Sequence, residues 1–203
     1  MEYAIHLFNA GGVVMYPLVL FMLAACTILF ERIRMYRRID SEIQQLSSSI
    51  EAGRNANDWI TLEQAIKNND DALSQFVTPI VDSVYNFEGL ENRLHDVVGY
   101  MDERLKRGLN WLSMMVTMAP LLGLLGTVVG MIRSFAAVGG DIGAPTVITG
   151  GVSEALIATA TGLSVAIVAL AIHSWCTSKV NYDIAKLEHR LGSILDLYIR
   201  SQR

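Results

Sequence analysis

Three stretches of the chain run without an Asp, Glu, Lys or Arg: 3–30, 108–132 and 155–178, of 28, 25 and 24 residues. A helix rises about 1.5 Å per residue and the hydrocarbon core of a bilayer is about 30 Å thick, so about 20 apolar residues cross it. Each stretch is long enough. Lipid-facing barrel strands alternate apolar and polar positions, whereas 18–30 and 165–172 are apolar around the whole turn. The pattern predicts three transmembrane helices.

Between the first two stretches, Ile39, Ile43, Leu46 and Ile50 recur at helical spacing, as do Leu73, Phe76, Val77, Ile80, Val81 and Val84. Asn55, Asn57, Asp58 and the run Asn68-Asn69-Asp70-Asp71 predict turns and a helix cap, and Pro79 predicts a kink. The stripe Leu90, Leu94, Val97, Val98, Met101, Leu105 and Leu109 is expected to continue without a breaker into the second span. Val180, Ile184, Leu187, Leu191, Ile194 and Tyr198 continue the third. The expected fold is an all-α integral membrane protein: three transmembrane helices with long cytoplasmic helical extensions. Its expected parts are an N-terminus and first span (1–31), a cytoplasmic helical domain (32–107), a second span (108–138), a short outer loop (139–150), a third span (151–178) and a C-terminal helix (179–203).

Composition agrees with that pattern. Hydrophobic residues make up 52% of the 203, charged residues only 18%, and the mean hydropathy is +0.36; an ordinary soluble domain carries about 25% charged residues. Basic residues set the orientation, because Lys and Arg stay on the cytoplasmic side of short loops. Of the sixteen, only Arg133 lies on the outer side of this layout, and 139–150 has none. The N-terminus is therefore expected outside and the C-terminus in the cytoplasm. Glu2 before the first apolar run and arginines after it do not fit a cleaved signal peptide.

The expected soluble part holds ten basic and fourteen acidic residues over 31–107. A domain this small buries little core by itself, and apolar stripes on helices leaving the membrane need partners, so self-association is expected. Cys26 and Cys176 lie in apolar runs, where a thiol behaves as a small hydrophobe. No Ser/His/Asp constellation, paired acids or His/Cys cluster suggests an enzyme or a metal site. The net charge of −4 and the lack of basic clusters interleaved with aromatics speak against nucleic acid.

The candidate chemistry lies in the second and third spans. Pro120, Gly123, Gly126, Thr127, Gly130 and Ser134 belong to the second, with Gly123, Thr127, Gly130 and Ser134 on one face. Close helix packing explains such a face, and Gly126 to Gly130 is a GxxxG, but a pore lining explains it too. The third span offers Thr159, Thr161, Gly162 and Ser164, with Glu154 at its outer mouth. In an antiparallel hairpin centred near residue 143, Arg133 and Glu154 sit at matching depth. Thr127 and Thr159 match about 9 Å further in. Arg133 and Glu154 are thus a candidate ion pair, although Glu154 also reads as an entrance to an ion path. The threonines read as proton stations or as donors to their own helix. Glu154 and Thr161 share a face, whereas Thr159 points about 140° away from Glu154. No carboxylate, histidine or lysine lies in the middle of any span, so a proton relay is incomplete without a partner.

The runs APLLGLLGTVVGMIRSF (119–135) and SEALIATATGLSVAI (153–167) strongly resemble the ExbB/TolQ/MotA proton-channel family. The three-span layout resembles its ExbB/TolQ branch, since MotA-like members have four spans. The resemblance implies a homopentamer in the bacterial inner membrane. It would surround the transmembrane helices of an ExbD/TolR-like single-span partner that carries the protonatable aspartate, with a TonB- or TolA-like protein as a further candidate partner. Thr127 and Thr159 would line the pore beside that aspartate, and Glu154 would lie on the third-span motif. Where the family often has Pro-Gly before that glutamate, this chain has Gly150-Gly151-Val152-Ser153. The implied activity is a proton-channel or stator subunit that converts the proton motive force into work on the envelope, with no cofactor. A non-conducting helical scaffold is the rival from another class; a solute transporter usually needs more spans and broken helices.

Overall fold

The computed structural model describes residues 11–84, 86–138 and 145–202. The start of the run 3–30 and the first half of the 139–150 connection, residues 139–144, lie outside them. The described residues form helices α1 (Met15–Ala56), α2 (Trp59–Lys67), α3 (Ala72–Asp82), α4 (Phe87–Lys106), α5 (Leu109–Val138) and α6 (Pro145–Ser201), with no strand among them.

Short polar side chains punctuate the helices. Asn57 ends α1 in the left-handed region at φ 51°, which asparagine tolerates better than most residues. Asp58 then caps α2 by accepting from the amides of Ile60 and Thr61 at 3.3 and 2.9 Å. Asp71 caps α3 through the Ser74 amide at 2.8 Å, and Asn86, a cap the periodicity does not single out, caps α4 through the Gly89 amide at 2.7 Å. The expected unbroken run from α4 into the second span is interrupted. Gly108 takes φ 87°, a conformation open to a residue without a Cβ, and α5 starts afresh at Leu109. The last long helix starts at Pro145, inside the segment expected to be a loop, because proline's fixed φ suits a first helical position.

Packing divides the chain into two units. The first comprises the described parts of Met1–Phe30 and Gly108–Trp175. Its core is small: Val14, Leu18, Ala119, Val165 and Ala166, with Phe21, Met22 and Leu122 against it. Most large apolar side chains face outward, among them Leu121, Leu125, Ile132 and Phe135 on α5 and Leu156, Leu163 and Ile167 on α6. Phe87–Ala136, read across the Gly108 turn, and Thr149–Ser201 are long and apolar enough to cross a membrane. Only 28% and 39% of their most apolar windows are buried, far from the burial of a soluble core helix. Two such stretches, not three, are found among the described residues.

The second unit, Glu31–Arg107 with Cys176–Arg203, packs like a water-soluble bundle. Ile43 and Leu46 of α1, Leu62 and Ile66 of α2, Val77 of α3, Leu90 and Met101 of α4 and Leu187 and Ile194 of α6 are buried. Phe76, part of the apolar stripe in sequence, is 41% exposed and lies on Tyr100 at 5.0 Å between ring centroids; burial in α3 falls to Leu73, Val77 and Val81 at i, i+4 and i+8. Lys186 bridges to Asp40 at 2.7 Å and Arg190 to Glu51 at 3.4 Å.

Gly53 lets α1 approach α2 closely. A Cβ there would stand 2.6 Å from Leu62 Cβ and 2.9 Å from Leu62 Cα. Gly53→Ala should therefore destabilise this bundle by about 1–3 kcal/mol, as overpacking does, read as a lower thermal midpoint of the purified chain. Gly99→Ala is the control, because a Cβ there meets nothing within 4 Å; it should be neutral or stabilise by up to about 1 kcal/mol through helix propensity.

Candidate functional site

Along the contact between α5 and α6 the side chains are reduced almost to nothing. A Cβ on Gly162 would lie 2.6 Å from the carbonyl oxygen of Ala119 and 3.0 Å from the Cα of Gly123. One on Gly123 would lie 3.1 Å from both Ala158 O and Thr159 Cα, one on Gly126 2.5 Å from Ala158 Cβ, and one on Gly130 3.2 Å from Gly151 O. Ala119, Ala155 and Ala158 fill the remaining positions and are buried. The main chains touch, as small residues allow in membranes. Pro120 sits inside α5 beside this seam.

The polar atoms of the seam are bonded to backbone. Thr159 Oγ1 donates across the contact to the carbonyl of Gly123 at 3.2 Å. Thr127 Oγ1 donates within its own helix to Leu124 O at 2.6 Å, and Thr161 Oγ1 to Ile157 O at 2.8 Å. Ser134, also buried, donates to Gly130 O at 3.0 Å. The structure thus joins Thr159 to Gly123 and leaves Thr127 and Thr161 on their own turns. Each hydroxyl uses its O–H to donate to a carbonyl and keeps its oxygen lone pairs as acceptors.

At the other end of the seam Arg133 Nη1 stands 3.3 Å from Glu154 Oε1, with the side chains 54% and 26% exposed. Glu154 also lies against Gly12, which takes φ +69° and has no side chain to obstruct the carboxylate. Gly11 approaches Ile157 in the same way: a Cβ there would be 3.2 Å from Ile157 Cγ2. Sequence reasoning did not single out these two glycines; their adjacency just before the first apolar helix was the available signal. Among the described residues, no three His, Cys, Asp or Glu side chains gather as metal ligands.

Gly162→Ala should force α5 and α6 apart and lower stability in nanodiscs by about 1–3 kcal/mol, whereas Gly150→Ala, with nothing within 4 Å, should not. Arg133→Glu and Glu154→Arg should each lose stability, and the double exchange should recover part of it. The coupling expected from a half-exposed pair is up to about 1 kcal/mol. A thermal double-mutant cycle reads it, and strict additivity would mean the two side chains do not interact.

Residues 62–189 match the model of the MotA/TolQ/ExbB proton channel family. An ExbB homolog of Methanothermobacter thermautotrophicus is 26% identical over 91% of this chain and 66% of its own length, so the chain spans just under two-thirds of that relative. An ExbB-like protein of Synechocystis is 33% identical over 95% of this chain and 78% of its own length. The ExbB-type biopolymer transport protein of Vibrio cholerae is 38% identical over 43% of this chain and 39% of its own. The family match runs from within α2 through most of α6 and includes the whole glycine seam with Thr127, Thr159 and Thr161. The chain belongs to the MotA/TolQ/ExbB proton channel family.

Proposed function

We propose that the chain is the inner-membrane channel subunit of an ExbB–ExbD or TolQ–TolR type motor, converting the proton motive force into mechanical work on the cell envelope. Five copies surround an ExbD/TolR-like single-span partner that supplies the titrating aspartate, and a TonB- or TolA-like protein receives the work. The apolar start of α1 forms a third membrane span, α5 and α6 form the other two, and the unit containing α2–α4 lies in the cytoplasm. Basic residues crowd the proposed cytoplasmic flanks, at Arg32, Arg34, Arg37 and Arg38 and at Arg104, Lys106 and Arg107, as that orientation requires.

One observation carries this reading. The α5–α6 seam is built for close contact and lined by threonine hydroxyls, yet neither 108–132 nor 155–178 contains a carboxylate, lysine or arginine. The hydroxyl oxygens of Thr127 and Thr159 remain acceptors, suited to a proton arriving at a carboxyl from another chain. Glu154 with Arg133 forms the outer mouth, and Thr161 lines the same path. Each elementary charge crossing yields about 2.3 kcal/mol per 100 mV, so a large rearrangement of the envelope needs more than one proton.

The test is proton flux into liposomes carrying this chain and a single-span, aspartate-bearing partner, followed with an entrapped pH dye. Thr127→Val and Thr159→Val keep the volume and remove the hydroxyl; each should cut flux about tenfold, the rate equivalent of one hydrogen bond, while assembly is unchanged. Thr→Ser should be milder. Normal flux in the Val variants with failure of the Ser variants would make these residues packing elements.

A further inference from the structure

The unit formed by Glu31–Arg107 and Cys176–Arg203 contains a carboxylate that neither the helix caps nor the proposed pore uses. Asp183 of α6 is 0% exposed. Its Oδ1 accepts from Lys179 Nζ at 2.7 Å, but its Oδ2 is sealed from solvent and has no hydrogen-bond partner among the described residues. Beside it is a void of about 10 Å³ walled by Ile39 and Ile43 of α1, Leu73 of α3, Met101 and Leu105 of α4 and Leu187 of α6. That volume is at the lower limit for a single water, and a buried water is normally held by two to four polar groups. Asp183 is the one polar wall residue. A water would be held poorly here, whereas a proton on Oδ2 removes the unpaired charge without needing space.

The charged and titratable groups facing Asp183 can be named for each helix. On α6 they are Lys179 and Lys186, and on α1 Asp40 and Tyr36. α3 and α4 present only apolar side chains to the void. Lys186 is already engaged by Asp40 at 2.7 Å, which holds the Asp40 carboxyl below its ordinary range, so Lys179 is left as the direct counter-charge of Asp183. Burial outweighs it and pushes the Asp183 carboxyl up.

We propose that Asp183 is a proton-binding site inside this helical unit: protonated, it completes the apolar contact of α1, α3, α4 and α6, and ionised, it loosens that contact. Packing here then responds to the pH of the solution around this unit. The inference needs no part of the pore reading. A carboxyl that binds its proton more tightly in the folded chain than in the unfolded one stabilises fully below the ordinary carboxylate range. That stabilisation is lost as pH rises through the folded-state pKa, at up to tenfold in the folding equilibrium per pH unit. Asp40 runs the other way, with stabilisation present above the ordinary range and lost as pH falls.

The full chain in nanodiscs, labelled with ¹³C at the aspartate carboxyls, provides the test. One carboxyl resonance should titrate above all other aspartates and vanish in Asp183→Asn. The thermal midpoint of the wild-type chain should fall as pH rises through that titration, and Asp183→Asn, a neutral mimic of the protonated group, should remove up to tenfold per pH unit of that dependence. If the Asp183 resonance titrates with the other aspartates, or if the slope survives Asp183→Asn, the proposal is wrong. It is equally wrong if Asp40→Asn reproduces the Asp183→Asn curve, because the dependence would then belong to the Lys186 pair.

Discussion

Where Gly123 and Gly162 meet, α5 and α6 touch through their main chains, and a methyl group on Gly162 would collide with the Ala119 carbonyl at 2.6 Å. Lipid tails are as apolar as leucine, so apolar side chains give two membrane helices little reason to prefer each other over lipid; close van der Waals contact and hydrogen bonds must do it. The seam supplies both. It brings Thr159 within 3.2 Å of a carbonyl of α5 and Arg133 within 3.3 Å of Glu154. It also turns the bulky residues outward, so Leu121, Ile132, Leu156 and Ile167 remain for lipid or neighbouring chains.

The same contact limits what this chain does alone. A seam of glycine and alanine has no room for a carboxylate, and its hydroxyls are already committed as donors to backbone oxygens. What such a surface still offers is hydrogen-bond acceptors. A titrating group from a second protein fits that chemistry, in keeping with membership of a proton channel family. Arg133 and Glu154 stand together as an ion pair at the end of the apolar stretch, where each offsets the other's charge.

α6 contributes residues to both units. Its first part, up to Trp175, contributes small residues to the seam. From Cys176 onward it carries a buried stripe through Val180, Leu187, Leu191 and Ile194, with Lys186 and Arg190 reaching acids of α1. The second unit follows the rules of proteins in water: apolar stripes inside, Asx caps at helix starts, ion pairs at the margin. Asp183 departs from them, because a fully buried carboxylate with one unbonded oxygen is costly unless a proton neutralises it.

The long uncharged runs, the helical stripes of the second unit and the capping turns around Asp58 and Asp71 could be read from the chain alone. Each depends only on spacing along one helix or on a side chain bonding an amide two or three residues away. The glycine-rich face of the second span was visible for the same reason. Tertiary structure decided the partners: Thr159 bonds Gly123 and not a group at the level of Thr127, Gly12 makes room for Glu154, Phe76 turns out to Tyr100, and Asp183 turns in. Periodicity fixes which face of a helix a residue occupies, but the atom that meets it depends on the rotation and offset of another helix, and no local spacing encodes those. The break at Gly108 lies between these cases: glycine permits a left-handed φ anywhere, and only the packing around it determines that the turn is used there.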